Sequence, residues 1–322
     1  MQRKLIIGCL LIILLIISGC SLADTIGGET AKSSPDQPVE QTPKSGFTIR
    51  LSRDFGQVAL DERQVELRPD NSLLQYMEAE HQITTGYGGG FIVGINGLVS
   101  AQSEGRNSDW FFFVNGTVAA VGADQLKPAA GDIVWWDYHN WSDAAGQSAV
   151  IGCYPQPLVD HPVKILTDQR WMKLAHECQE AIIAQGAGGV EVADLSEQES
   201  QLNKPTCPVI VIGTWEELQQ SSYLHKWNQA YDRHGASIHF TDDGLELLGV
   251  DGQVKRTLGT GAGVIVASGQ GLGDNNPLWL IAGVDDQGVR EAVQILSAQP
   301  DELSWKYGLA VQAGQIMALP VN

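Results

Sequence analysis

The sequence predicts an α+β domain followed by an α/β domain with a mostly parallel sheet. Between residues 47 and 141, apolar and polar residues alternate as they do in half-buried strands, around one short helical stretch. From about residue 159 onward, aliphatic runs alternate with amphipathic helical patterns, as in βα units. Two prolines in residues 154–157 interrupt any strand or helix, so we place the domain boundary between residues 154 and 155.

The first domain, residues 46–154, has the element order of a β-grasp fold: two strands, a helix and then further strands. Asn71 or Ser72 can cap the short helix that follows them. The dipeptides Asn96-Gly97 and Asn115-Gly116 are hairpin-turn signals. The predicted strands are residues 47–51, 64–67, 91–95, 110–114 and 133–138.

Three segments of this domain carry a family resemblance. They read Gly-Phe-Ile-Val-Gly-Ile-Asn-Gly at residues 90–97, Asp-Trp-Phe-Phe-Phe-Val-Asn-Gly at 109–116, and Gly-Asp before an aromatic strand at 131–138. In this order they resemble the transcobalamin C-terminal-like family, a soluble ligand-binding β-grasp module. The resemblance covers residues 46–140 and implies a β-grasp fold that binds a ligand. In vertebrate relatives the module forms half of a cobalamin clamp, and the other half is an α-helical barrel that this sequence lacks.

Aromatic residues on both faces of the predicted sheet require a second cover. In residues 110–114 the side chains that alternate between the two faces of the strand are apolar on both faces, although a β-grasp helix covers one face only. The cover is a ligand, the C-terminal domain or a partner, and we favour the C-terminal domain for most of the surface. Tyr87, in a glycine-rich loop, either lies against a flat ligand or is a hairpin tip. The candidate ligand-binding residues are Tyr87, Trp110, Phe112 and Asn115.

The second domain, residues 155–322, is predicted to be α/β. Its strands are residues 163–166, 208–213, 263–268 and 277–283, and its helices include residues 215–231. Apolar stripes mark two further helices, with Trp171, Leu174, Ala175, Cys178 and Ile182 on one and Val289, Ala292, Val293 and Leu296 on the other. The continuous aliphatic runs favour parallel strands that are buried on both faces.

Pairs of acids open two of these helices directly after strands. They are Glu216 with Glu217 and Asp285 with Asp286. Carboxylates at the carboxyl ends of parallel strands lie where α/β proteins bind ligands, and two of them can divide acid and base roles. They also complement helix N-terminal dipoles, and we favour that role because the sequence has no nucleophile elbow and no phosphate-binding loop. We therefore do not expect an enzyme, although the C-terminal domain leaves that open.

Composition excludes some partners. The 322 residues are 43% hydrophobic and 18% charged, which is enough apolar material for a sizeable core. Thirty-eight Asp and Glu against 20 Lys and Arg give a formal net charge of −18. Proteins that bind nucleic acid neutralise phosphates with a basic face, so nucleic acid is not expected as a partner, nor is direct adsorption to anionic lipid.

The first twenty residues are typical of a bacterial lipoprotein signal. Arg3 and Lys4 precede an apolar run over residues 5–17, shorter than the ~20 residues that span a bilayer. The run ends in Ile17-Ser-Gly-Cys, which resembles the lipobox, whose cysteine becomes diacylated. We expect a signal peptide over residues 1–19, a lipid on Cys20 that anchors the chain to the membrane outside the cytoplasm, and a polar linker over residues 20–45. An ordinary secretory signal is the alternative.

Cysteine and histidine spacings offer no cofactor or metal site. Cys153, Cys178 and Cys207 remain in the mature chain without CxxC or CxxH spacing. Cys178 with Cys207 is the favoured pair if a disulfide forms, but the sequence does not decide it. The seven histidines show no HxxxH or HxH pair. His139 is either a cobalt ligand or, in our preferred interpretation, a structural or surface residue beside Trp141.

Together these features favour a membrane-anchored lipoprotein that binds a cobalamin-like corrinoid and delivers it to a membrane importer. The lipid signal, the family resemblance and the surplus aromatic residues support it, because corrinoid faces are large and apolar. One alternative is a structural or adhesive surface module that binds protein or glycan. A second alternative is an α/β surface hydrolase.

Overall fold

A computed structural model describes residues 45–103, 106–141 and 146–321. The predicted signal peptide, the lipidation site Cys20 and all of the linker except Ser45 lie outside the described residues. Residues 43–322 cluster as one compact unit. In the part of the chain that the structure describes, the strands form four sheets and no helix is long and apolar enough to span a membrane.

The first part of the chain contains nine strands and one helix among its described residues. They are β1 (Gly46–Arg53), β2 (Val58–Glu66), α1 (Leu73–Glu80), β3 (Ile83–Gly86), β4 (Phe91–Ile95), β5 (Leu98–Val99), β6 (Ala101–Ser103), β7 (Arg106–Val114), β8 (Thr117–Val118) and β9 (Ile133–Asn140). The main sheet has the order β2-β1-β9-β7-β6, with β8 paired to β7, and β3-β4-β5 form a smaller sheet. β1 runs antiparallel to β2 and parallel to β9.

Local sequence signals explain how these elements start and turn. The Ser72 side chain caps α1 and forms a capping box with Gln75, which confirms the predicted helix start. Asn96 and Gly97 have φ angles of 50° and 84° between β4 and β5, as a type I′ hairpin turn requires. Asn115 and Gly116, at 53° and 84°, turn the chain in the same way between β7 and β8.

The main sheet packs against α1 on one face. Phe47, Ile49 and Trp136 lie in one cluster with Leu73 and Met77 of α1. On the opposite face, Phe113 and Trp135 lie in one cluster with Cys153 and with Tyr307, which belongs to the C-terminal part of the chain. The second cover that the sequence required is therefore supplied, at this part of the sheet, by the C-terminal residues.

The second part of the chain is built around a seven-stranded sheet. Its elements are β10 (Val163–Thr167), a 3-10 helix (Gln169–Trp171), α2 (Met172–Ala184), β11 (Val190–Asp194), α3 (Leu195–Gln198), α4 (Ser200–Asn203), β12 (Val209–Thr214), α5 (Trp215–Leu218), α6 (Ser222–Gln229), β13 (Ile238–Thr241), β14 (Gly244–Leu248), β15 (Val254–Leu258), β16 (Ala262–Ser268), β17 (Leu278–Gly283), α7 (Asp286–Ala298), a 3-10 helix (Pro300–Leu303), β18 (Gly308–Gln312) and β19 (Gln315–Leu319). The sheet order is β11-β10-β12-β17-β16-β18-β19, and β13-β14-β15 form a separate sheet.

The prediction of a mostly parallel sheet is wrong, because the sheet is mixed. β10, β11, β12 and β17 pair in parallel, whereas β16, β17, β18 and β19 pair antiparallel. The connection from β16 to β17 contains no helix, and parallel neighbours need a crossover connection. The tight turn at Ala313 and Gly314, with φ angles of 50° and 73°, forces β19 back along β18.

Helices cover both faces of this sheet. The predicted stripes of α2 and α7 are buried together on one face, with Ile210 and Ile212 of β12. α5 and α6 pack on the other face against Val209 and Val211. The predicted helix over residues 215–231 is divided, because Ser221 caps a new helix by accepting a hydrogen bond from the Leu224 amide.

The three described cysteines are free and buried. The disulfide considered between Cys178 and Cys207 is absent from this structure. Burial raises the pKa of Cys153 and of Cys178 to about 12, so both thiols stay protonated at neutral pH. These residues therefore act as small apolar core side chains.

Candidate functional site

The loop between β3 and β4 presents two aromatic rings to solvent. Tyr87 is 89% exposed and Phe91 is 61% exposed. Their ring centroids lie 6.0 Å apart with an interplanar angle of 78°, an edge-to-face arrangement. We call β3, β4 and the loop between them the aromatic hairpin.

Glycine makes the turn of the aromatic hairpin possible. Tyr87, Gly88 and Gly89 have consecutive positive φ angles of 51°, 88° and 104°. Such a run is strained for residues with side chains, and nothing lies within 4 Å of a Cβ placed on Gly88 or Gly89. The loop is therefore open to close approach from outside. A Cβ on Gly90 would lie 3.1 Å from the exposed carboxylate of Asp124, which therefore lies beside the last residue of this loop.

Two of the predicted ligand-binding residues are packed in the core under α1. Trp110 is 7% exposed, and its Nε1 donates to the Leu98 carbonyl oxygen at 2.9 Å. Phe112 is half-buried and stacks on Trp136 at a centroid distance of 4.3 Å. These contacts give both side chains a structural role.

The third predicted residue, Asn115, closes the β7–β8 turn. Its Oδ1 accepts from the Ile133 amide at 2.9 Å, and its Nδ2 donates to Asp132 Oδ1 at 2.8 Å. Of the four predicted residues, the structure thus leaves only Tyr87 exposed, and it adds Phe91. Phe91 could have been found from the sequence, because it directly follows the glycine cluster and is the first residue of the predicted strand over residues 91–95.

A buried carboxylate, Asp137, joins the main sheet of the first part to the C-terminal part. It accepts from the Phe55 and Gly56 amides at 2.9 Å each, and from Tyr307 Oη at 3.2 Å. Ser52 Oγ also donates to it, and His139 Nδ1 lies 2.8 Å from its Oδ2. Burial, together with the Asp137 charge, raises the pKa of Tyr307, so that the hydroxyl remains a donor.

His139 is held inside this network and has no open face. Its ring stacks between Phe55, at 4.1 Å, and Phe111, at 4.5 Å, and the residue is 6% exposed. This arrangement favours the structural role over that of a cobalt ligand. Among residues 45–103, 106–141 and 146–321, no group of three His, Cys, Asp or Glu side chains is placed to hold a metal ion.

A second polar cluster lies at the carboxyl ends of the parallel strands. Glu217 accepts from Trp171 Nε1 at 2.6 Å and from the Thr214 hydroxyl at 2.7 Å, and it closes a capping box at α5. Arg170 pairs with Glu217 at 3.0 Å and also with Asp286. Burial favours protonation of Glu217, but the hydrogen bonds from Trp171, Thr214 and Arg170 outweigh it and lower its pKa.

The acid pairs therefore have helix-terminal partners. Asp285 caps α7 by accepting from the Gly288 amide at 3.1 Å, and it also accepts from the Gly261 amide at 2.8 Å. A crevice of about 280 Å³ lies beside Glu217, between Asp168 after β10 and Asp194 at the end of β11. It occupies the edge at which open α/β sheets bind ligands, where α2 and α5 leave neighbouring strands toward opposite faces.

Comparison with known proteins assigns only part of the chain. Residues 70–140, from just before α1 to the end of β9, match a family described as a domain of unknown function (DUF4430). No curated protein matches the chain. A solved structure of a candidate metal-binding protein from Ruminococcus gnavus is 19% identical over 30% of this chain and 97% of that chain, with a TM-score of 0.24. At that TM-score the likeness supports no conclusion about fold or ligand.

Proposed function

We propose that this protein is a membrane-anchored binding lipoprotein outside the cytoplasm, whose aromatic hairpin contacts a large, flat ligand of the cobalamin-like corrinoid type. The observation that carries the proposal is the exposure of Tyr87 and Phe91 on a loop of successive glycines. Apolar rings of this size are costly to leave in water, and they mark surfaces that bind a partner. The chain would deliver the ligand to a membrane importer.

We also propose the division into two domains that the sequence predicts. Residues 46–154 would form a β-grasp domain of the transcobalamin C-terminal-like family, and residues 155–322 an α/β domain. The parallel pairing of β1 with β9, beside the antiparallel β2 and with α1 on one face, supports this division. The domain of unknown function that matches residues 70–140 falls inside the first of the two.

Titration of cyanocobalamin into the whole protein in neutral detergent tests the ligand. We expect heat and a shift of the corrin absorbance, with sub-micromolar affinity. Tyr87→Ala and Phe91→Ala should each weaken binding about tenfold, the effect of losing ~1.4 kcal/mol of ring contact. Leu272→Ala is the matched control, because Leu272 is an apolar side chain 73% exposed in the other half of the chain.

No heat and no absorbance change would reject the corrinoid and favour the alternative of a structural or adhesive surface module. In that case the same two rings would bind protein or glycan, and a pull-down that retains a cell-wall component would depend on Tyr87 and Phe91. The hydrolase alternative draws on the crevice beside Glu217. Both oxygens of that carboxylate already accept hydrogen bonds within the protein, so the hydrolase is the weaker proposal.

The membrane anchor has its own test. We expect Cys20→Ala to abolish incorporation of labelled fatty acid and to prevent removal of residues 1–19. Cys9→Ala, in the same leader, is the control and should leave both unchanged. Absence of lipid labelling from the unmodified protein would contradict the anchor and leave the ordinary secretory signal, and labelling that persists in Cys20→Ala would contradict the assignment of the lipid to Cys20.

A further inference from the structure

An open cleft of about 570 Å³ lies where residues 56–57 meet β15, β19 and the segment 304–306. Its volume falls within the range of ~300–1,000 Å³ that is usual for small-molecule sites. The cleft is separate from the aromatic hairpin, and its argument does not rest on the function proposed above. We call it the cationic cleft.

The charge of the cationic cleft is opposite to that of the chain. Lys255, Arg256 and Lys306 line it, and none of its lining residues is acidic, although the chain carries a net charge of −18. Lys255 pairs with Asp251 at 2.7 Å and Lys306 with Glu302 at 3.7 Å, both outside the lining. Cations gathered in a concave surface strengthen the local field that attracts anions.

Arg256 is the least neutralised of the three cations. Its side chain is exposed, and its Nη1 contacts Met317 Sδ at 3.1 Å. Within the residues that the structure describes, no carboxylate forms an ion pair with it. A guanidinium in this state retains donors for a bidentate interaction with an oxyanion.

One wall of the cationic cleft is held in an uncommon backbone conformation. Trp305 has a φ of 62°, which is rare for a bulky residue and is typical of functional positions. A Cβ on Gly56 would lie 2.1 Å from the Trp305 carbonyl oxygen, so only glycine permits this approach. Arg50 lies 5.2 Å over the Trp305 ring, and Trp135 packs against it edge to face, which fixes the ring in advance.

We propose that the cationic cleft binds a small molecule that carries a phosphate group. The phosphate would be held by Arg256 with Lys255 and Lys306 beside it. Three cations match the double charge of a phosphate monoester better than a single carboxylate. The apolar wall formed by Trp305, Pro320 and Val321 would contact the rest of the ligand. Free phosphate monoesters carry this double charge, whereas the phosphodiester of a lipid headgroup carries a single charge and shares only the phosphate oxygens that Arg256 would contact.

Calorimetric titration of the whole protein in neutral detergent tests the site. Phenyl phosphate should bind, should weaken as salt is raised, and should bind at least about tenfold more tightly than inorganic phosphate or phenol. Glycerophosphoglycerol represents a lipid headgroup. Tighter binding of phenyl phosphate assigns the site to soluble monoesters, and tighter binding of glycerophosphoglycerol assigns it to headgroups.

Arg256→Gln and Lys306→Gln should each weaken phenyl phosphate binding about tenfold or more, and Arg256→Lys should lie between. Lys173→Gln, at a side chain 92% exposed on α2, is the matched control and should bind as the unmodified protein does. Thermal unfolding of each variant checks the fold, and the two cleft variants serve as independent tests. Absence of binding by both phosphate probes, or binding that neither cleft substitution weakens, would overturn the proposal.

Discussion

Asp137 and Glu217 are both carboxylates surrounded by hydrogen-bond donors, and they differ in the charge of those donors. Asp137 is 0% exposed, and five side-chain or amide groups surround it, of which only His139 can carry a charge. Glu217 has a side chain 27% exposed, and the cationic Arg170 is among its partners. Water and a cation help to stabilise Glu217, whereas Asp137 depends on fixed protein groups.

The two carboxylates also differ in which parts of the chain they connect. The donors of Asp137 come from β1, from the β1–β2 turn, from β9 and from Tyr307, so one side chain joins the first part of the chain to the last. The donors of Glu217 come from neighbouring loops at one edge of one sheet. A fully buried carboxylate is more costly to disturb than an edge carboxylate, because its donors lose their partner far from water.

The largest expected effect is that of Asp137→Asn. The amide nitrogen would face donors that now point at a carboxylate oxygen, so we expect a loss of ~3 kcal/mol or more in the free energy of unfolding. Urea unfolding followed by tryptophan fluorescence measures it. Asp124→Asn, at an exposed carboxylate, is the control and should change stability by less than ~0.5 kcal/mol. Equal stability of the two variants would show that burial and the surrounding donors do not raise the cost of altering Asp137.

Glu217→Gln should cost less, about 1–2 kcal/mol, because the amide oxygen can keep the Trp171 and Thr214 donors, and the half-exposed Arg170, which then faces the amide nitrogen, can turn to water. The same unfolding measurement applies. Glu216→Gln alters the exposed neighbour in the same helix and is expected to be nearly neutral. A larger loss for Glu217→Gln than for Asp137→Asn would reverse the comparison.

Tyr307→Phe should have a smaller effect, about 1 kcal/mol, because Asp137 retains its other four donors. Tyr87→Phe removes an exposed hydroxyl and serves as its control. Additivity of Tyr307→Phe with Asp137→Asn would show that the hydroxyl does not act through the carboxylate. We expect instead that Tyr307→Phe, introduced together with Asp137→Asn, lowers the free energy of unfolding by little more than Asp137→Asn alone.

Acid should distinguish Glu217 from its amide variant. The folded-state pKa of Glu217 is lowered, so its ionisation stabilises the fold above the ordinary carboxyl pKa, and that contribution is lost as pH falls through the folded pKa. We therefore expect the stability gap between the unmodified protein and Glu217→Gln to be constant at neutral pH and to narrow in acid. A gap that widens on acidification would contradict the sign of the shift.

The sequence was sufficient to predict those structural features whose signals lie within a few residues of each other. Ser72 as a helix cap, the Asn-Gly turns and the apolar stripes of α2 and α7 all depend on neighbours within a few residues, and each is observed. The β16–β19 segment was misjudged because a buried strand is aliphatic on both faces whether its neighbours are parallel or antiparallel.

The candidate site was harder to predict from the sequence, because it depends on which surfaces become covered in the folded protein. Trp110, Phe112 and Tyr87 are all aromatic residues near glycine-rich turns, and only packing separates the two core rings from the exposed one. The cationic cleft joins Gly56 to residues near the end of the chain. No spacing rule relates positions so far apart.

The three buried thiols have a consequence for biogenesis. In the proposed location outside the cytoplasm, the unfolded chain would meet oxidants with Cys153, Cys178 and Cys207 exposed, whereas the folded chain has all three inside. In that location folding would compete with wrong disulfide formation, and rapid burial would protect the chain. Variants that unfold more often, Asp137→Asn first among them, would be expected to accumulate as cross-linked species on export, even where their folded form remains intact.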